Sequence, residues 1–134
     1  RDRPEVKARK KAREANNRLN VLQHYSKLLS NSESACCNCC KESEINFLAI
    51  DHIAGKKQMD SEPELVRMGY KSKLDGLDLV NWIIRNDFPE GFQILCHNCN
   101  HAKGMKKNNN MCPHERMRKE ETFAMMEEQS SFEV

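Results

Sequence analysis

Between Pro4 and about Leu29 the large apolar side chains fall at Leu19, Leu22, Tyr25 and Leu29, three or four apart, while the positions before Leu19 are almost wholly polar. That spacing predicts one long helix whose second half docks on a core and whose first half projects as an arm. "SNSES", residues 30–34, is a polar breaker. "INFLAIDHI", residues 45–53, is dense in β-branched and aromatic residues and runs into the Gly/Lys turn "AGKKQ", which predicts a strand. Residues 56–73 carry no clear period and read as an inserted loop with a short helix at "EPELVRMG". In "LDLVNWIIRNDF", residues 77–88, Leu77, Val80, Ile84 and Phe88 recur at helical spacing with Trp82 alongside as a core residue, and Pro89 is the expected stop. "GFQIL" predicts a second strand leading into Cys96. A helix is expected to begin near Cys99 or Asn100 and to fade into "KGMKKNNN", and residues 115–128 are helix-prone. The class predicted is α+β, without internal repeats.

Composition changes this picture in one respect. Only 38% of the 134 residues are apolar and 31% are charged, which is lean for a core, so a staple besides hydrophobic burial is expected. The seven cysteines supply one. They are odd in number and cluster as tight C-x-x-C pairs far apart in the chain, which favours a metal site in a reducing compartment over disulfides. One pair is Cys96 with Cys99. In "CCNCC" the other is either Cys37 with Cys40 or Cys36 with Cys39. Four thiolates around zinc leave no open position, so such an ion is structural and any chemistry lies elsewhere. Cys112 and His114, in "CPH", are a spare zinc pair or, more simply, a segment folding back on the domain.

Charge adds a candidate partner. Residues 1–20 carry eight basic and three acidic side chains, and residues 115–134 three basic and six acidic ones. A basic arm with Arg9, Lys10, Lys11 and Arg13, followed by an acidic tail, suits a nucleic-acid partner; the plainer reading is two solvated helices. Lys106, Lys107 and Asn108 to Asn110 read as a solvated loop. No apolar run approaches the roughly 20 residues that span a bilayer, so an intracellular location without membrane contact is expected. The chain opens on Arg1 rather than methionine, which predicts further residues upstream, and the acids among its first residues do not suit a transit peptide.

The knuckles bracket two residue groups that are otherwise remote. Asp51 and His52 end the first strand, and Asn100 and His101 follow the last cysteine. A carboxylate, an imidazole and an amide oxygen are the parts of a one-metal phosphodiesterase: oxygen ligands for a hard cation such as Mg²⁺, and a neutral histidine to take a proton from water. His101 reads more simply as a capping or solvated residue.

Taken in order, "LNVLQHYS", "CCNCCKES", "FLAIDHIAG", "WIIRNDFPEGFQILCHNCNHAKG" and "CPHE" resemble the HNH endonucleases of the ββα-metal fold, and within them the small phage-encoded HNH proteins with a four-cysteine zinc site. The resemblance covers roughly residues 19–115. It implies Cys37, Cys40, Cys96 and Cys99 as zinc ligands, Asp51 and Asn100 as ligands of a catalytic Mg²⁺ or Mn²⁺, His52 as general base and Lys103 near the phosphate backbone. Two departures stand out: Gly91 occupies the place of the family's central asparagine, and the glycine-rich turn after Asp51-His52 is reduced to Gly55 followed by Lys56 and Lys57.

The expected organisation is a basic helical arm over residues 1–30, a zinc-bound HNH domain over 31–115 and an acidic helical tail over 116–134. The expected function is hydrolysis of phosphodiester bonds in double-stranded DNA, in a phage-host cytoplasm or an organelle. Two rivals are an inactive HNH-fold subunit of a nucleoprotein assembly such as an organellar ribosome, and a zinc-organised protein-interaction domain without nucleic-acid contact.

Overall fold

A computed structural model describes residues 3–105 and 113–132. Helix α1 (Pro4–Ser30) begins with Pro4 in its first turn, where a missing N–H costs nothing. Asn31 ends it in the left-handed conformation, its N–H bonded to Ser26 O. Residues 3–13 of the arm are exposed. Val21, Leu22, Tyr25 and Ser26 are buried, whereas Leu29, expected on the same stripe, is 42% exposed because the chain leaves the core there.

Two antiparallel strands carry the domain: β1 (Leu48–His52) and β2 (Phe92–Cys96), paired from Leu48 with Cys96 to His52 with Phe92. The first strand is shorter than its composition predicts. Glu44 accepts a hydrogen bond from Asn46 N, which draws Ile45–Phe47 into a 3-10 turn, and β2 ends opposite Leu48 and has nothing further to pair with.

Within the stretch read as an inserted loop, the short helix expected at "EPELVRMG" is α3 (Pro63–Arg67), and a further one not expected there, α2 (Lys56–Met59), precedes it; they bury Leu65 and Met59. Helix α4 (Gly76–Arg85) stops earlier than expected. Asp87 and Phe88 both have positive φ, which ends the helix, and Pro89 bars Phe88 from the right-handed helical region. Its buried residues are Leu79, Val80, Trp82 and Ile83, while Leu77 is 41% exposed. Helix α5 (His97–Gly104) follows β2 directly, and α6 (Pro113–Phe132) runs through the boundary expected at residue 115.

The core lies between α1, α4 and one face of the sheet, and includes Tyr25, Trp82 and Phe92. Tyr25 OH donates to Pro89 O at 2.5 Å and Trp82 Nε1 to Met68 O at 2.9 Å, so both buried polar tips are satisfied. Gly91 enters β2 at φ +114°, and a Cβ there would stand 3.1 Å from Met59 Cε. That position therefore takes glycine for backbone reasons, and its carbonyl accepts from Ile53 N at 2.9 Å, bracing the turn after His52. Among the described residues no helix is long and apolar enough to cross a membrane.

Candidate functional site

The two knuckles meet at the end of the sheet. Each C-x-x-C turn is closed by a backbone N–H on its own first sulfur, Cys40 N on Cys37 at 3.4 Å and Cys99 N on Cys96 at 3.5 Å. The first loop is tied to β2 by Asn38 N on Ile94 O at 2.7 Å. The sulfurs of Cys37, Cys40, Cys96 and Cys99 all lie within 4.8 Å of one another. Cys40 and Cys96 are 3.6 Å apart, against about 3.8 Å for two sulfurs on one tetrahedral zinc at 2.3 Å.

These four cysteines can therefore hold a metal ion such as zinc, and the register left open by spacing is Cys37 with Cys40. Cys36 is buried apart from them, its N–H donating to Ser26 Oγ at 3.0 Å. Burial pushes the Cys37 thiol up, but hydrogen bonds from the backbone of Cys40, Cys96 and Cys39 outweigh it and leave the thiol below its ordinary value. Cys40 is pushed up to about 11, first by burial and then by the neighbouring sulfurs of Cys96 and Cys37, against a lowering hydrogen bond from the Glu42 backbone. Thiols packed this closely resist ionising together, and a cation among them reverses that.

Asp51 and His52, adjacent on a strand, point to opposite faces. Asp51 is buried towards α5, where Lys103 Nζ donates to its Oδ2 at 2.5 Å and also to the carbonyls of His52 at 3.2 Å and Ile53 at 3.0 Å. Gln93, its partner across the sheet, donates to the same oxygen at 2.8 Å. Gln93 Oε1 in turn accepts from Asn38 Nδ2 at 3.0 Å, and Asn38 Oδ1 from Ser30 Oγ at 2.8 Å. A polar chain thus runs from α1 through the cysteine loop to Asp51 and α5.

Lys103 was expected near the phosphate backbone. In this structure it is 7% exposed and its ammonium has three internal acceptors, the Asp51 carboxylate among them. Asn100 is half-buried on α5, and His101 is exposed on that helix. The donor set does not fit a divalent cation as it stands, because the ammonium already neutralises Asp51. Among the described residues, the groups of three or more metal-ligating side chains are built on cysteines and contain no carboxylate. Asn38 and Gln93 were missed from the sequence; the signal for Gln93 was a lone polar residue in "GFQILC", placed by period 2 on the same face as its cross-strand partner Asp51.

His52 lies on the other face, 5% exposed, between Phe92 and Tyr70 with ring centroids at 5.2 and 6.0 Å. Its Nε2 is buried with no hydrogen-bond partner. Burial above all, then the charge of Lys56, lowers its pKa to about 4, with Asp51 opposing and Lys103 adding a smaller push downward. It borders a cavity of about 350 Å³ between α1, β1 and the start of α4, also lined by Arg18, Lys56, His97 and Asp75. Asp75 caps α4 without a side-chain hydrogen bond, so the first amides of that helix have no side-chain acceptor there. Arg18 donates to Leu48 O at 2.5 Å, which fixes its guanidinium at the rim.

Arg9, Lys10, Lys11 and Arg13 stand on the exposed half of α1. His114 is brought to Cys99, with Sγ and Nδ1 3.7 Å apart. Cys112, Lys106, Lys107 and Asn108 to Asn110 lie outside the described residues. No family model, curated protein or solved structure matches the chain.

Proposed function

We propose that the chain is a zinc-stapled domain of the HNH type that hydrolyses phosphodiester bonds in nucleic acid, with His52 as general base. The reading is carried by one observation: an imidazole nitrogen, buried and without a partner, at a cavity that also holds Arg18, Lys56 and the open N-terminus of α4. Those groups suit a phosphate, since helix N-terminal amides and cationic side chains favour anions. At neutral pH His52 is unprotonated and can accept a proton from water. A bound phosphate raises its pKa towards the range where a base works best, because the anion stabilises the imidazolium. Lys56 and Arg18 offset charge on the phosphoryl oxygens. The zinc ion on Cys37, Cys40, Cys96 and Cys99 is structural, holding the strand ends and α5 together.

The arm with Arg9, Lys10, Lys11 and Arg13 grips the backbone of double-stranded DNA without reading bases, so affinity falls with salt by about 0.9 log units per neutralised phosphate per decade. A catalytic Mg²⁺ or Mn²⁺ on Asp51 and Asn100, which the resemblance implies, requires Lys103 to yield its place beside the carboxylate.

A second reading rests on that same Lys103. A carboxylate neutralised by a buried lysine suits a domain that keeps the fold and binds nucleic acid as a subunit of a larger assembly without cutting it. Nicking of supercoiled plasmid with Mg²⁺ or Mn²⁺, beside His52→Ala and a chelator control, separates the two. Cleavage lost in His52→Ala supports the nuclease. Salt-sensitive binding by folded protein with no cleavage under any metal overturns it in favour of the subunit.

A further inference from the structure

A second group of soft ligands adjoins the four-cysteine cluster. Cys39 Sγ, Cys99 Sγ and a ring nitrogen of His114 lie within 4.8 Å of one another, contributed by the knuckle loop, α5 and α6. Cys39 and Cys99 are buried and His114 is exposed. The 3.7 Å between Cys99 Sγ and His114 Nδ1 is close to the ~3.6 Å expected for a thiolate and an imidazole on one tetrahedral zinc, with bonds near 2.3 and 2.05 Å. Cys99 belongs to both groups, and a thiolate sulfur has lone pairs enough to bind two ions at once.

We propose that the chain binds two zinc ions bridged by the Cys99 thiolate. Cys37, Cys40, Cys96 and Cys99 hold the first; Cys99, Cys39 and His114 supply three ligands to the second. Ligand chemistry favours zinc, since thiolate and imidazole suit it and hard cations avoid them. Charge points the same way. Five thiolates against two dications leave one negative charge, and Arg118 on α6 is placed to meet it, with Nη1 on Cys39 O at 2.6 Å and Nη2 on Cys39 Sγ at 3.5 Å. The second ion would also clamp the start of α6 to the knuckle.

The competing arrangement is a single ion, with His114 only donating a hydrogen bond to a liganding sulfur. Metal content separates them. The full chain, purified with excess Zn²⁺ and desalted, is expected to carry two ions per chain by elemental analysis and by native mass spectrometry. His114→Ala and Cys39→Ser are each expected to carry one while keeping the helical circular dichroism of the wild type. His114 is exposed, so its variant folds even where the cysteine variant does not.

Co²⁺ added to the metal-free chain provides an independent readout. Paramagnetic signal is expected to grow through the first equivalent and to fall through the second, as two thiolate-bridged ions couple antiferromagnetically. One ion per wild-type chain at saturation overturns the second site and leaves the four-cysteine site standing. Two ions that persist in His114→Ala overturn these ligands. No bound metal at all overturns both sites.

Discussion

Lys103→Met tests the buried pair at the centre of the domain. The substitution keeps most of the side-chain volume and removes only the ammonium, which leaves Asp51, 8% exposed, with Gln93 Nε2 as its described donor. The carbonyls of His52 and Ile53 lose the same donor. Breaking one side of a buried pair costs about 3–5 kcal/mol, because the remaining charge stays out of water unpaired. Coulomb's law at the 2.5 Å separation gives about 6–7 kcal/mol with an effective dielectric constant near 20, from which the cost of desolvating the pair is subtracted. At a urea m-value of about 2 kcal/mol/M, the loss of about 3–5 kcal/mol moves the unfolding midpoint of the zinc-loaded protein down by about 2 M.

The double variant Asp51→Asn/Lys103→Met removes both charges and keeps an acceptor for Gln93. It is therefore expected to be more stable than Lys103→Met alone, with a coupling of about 2–3 kcal/mol between the two positions. Urea titration followed by circular dichroism on the four members of the cycle measures this. A loss under about 1 kcal/mol for Lys103→Met, or additive effects in the double variant, refutes the pairing and reopens the placement of Lys103 at a phosphate.

Cys96→Ser is expected to abolish metal at the four-cysteine site and to unfold the domain at 37 °C, with circular dichroism and elemental analysis changing together; retained fold with unchanged zinc contradicts the staple. His52 makes stability depend on pH. Its folded pKa near 4 lies below the ordinary 6.5, so the unfolded chain binds the extra proton and stability falls as pH drops from 6.5 through 4. The full shift corresponds to about 3 kcal/mol as an upper bound, and His52→Phe should flatten that window in urea titrations at pH 7, 5.5 and 4.5. Gly91→Ala is expected to cost about 1–3 kcal/mol from positive φ and the contact with Met59, read as a lowered thermal midpoint; an unchanged midpoint refutes the backbone account of that glycine.

What the residues determined by themselves was local. C-x-x-C spacing brings two sulfurs together within one turn, so both knuckles were legible, as were a strand within "INFLAIDHI", another at "GFQIL" leading into Cys96 and the long helix that begins at Pro4. Period 2 alone also puts Asp51 and His52 on opposite faces. The tertiary structure decided whatever depends on which elements lie nearby. "CCNCC" offers two registers of equal local quality, and only the approach of Cys96 and Cys99 selects Cys37 with Cys40. The lone positive charge of "HAKG" could face solvent or core from its place on α5. It faces the core because α5 packs beside β1, where Asp51 and two strand-end carbonyls await a donor. His114, far along the chain, joins the cysteines only because α6 starts beside α5. Spacing fixes geometry over a few residues, whereas burial and ligand sets over tens of residues follow from packing, which minimises unpaired charge and exposed apolar surface across the whole domain.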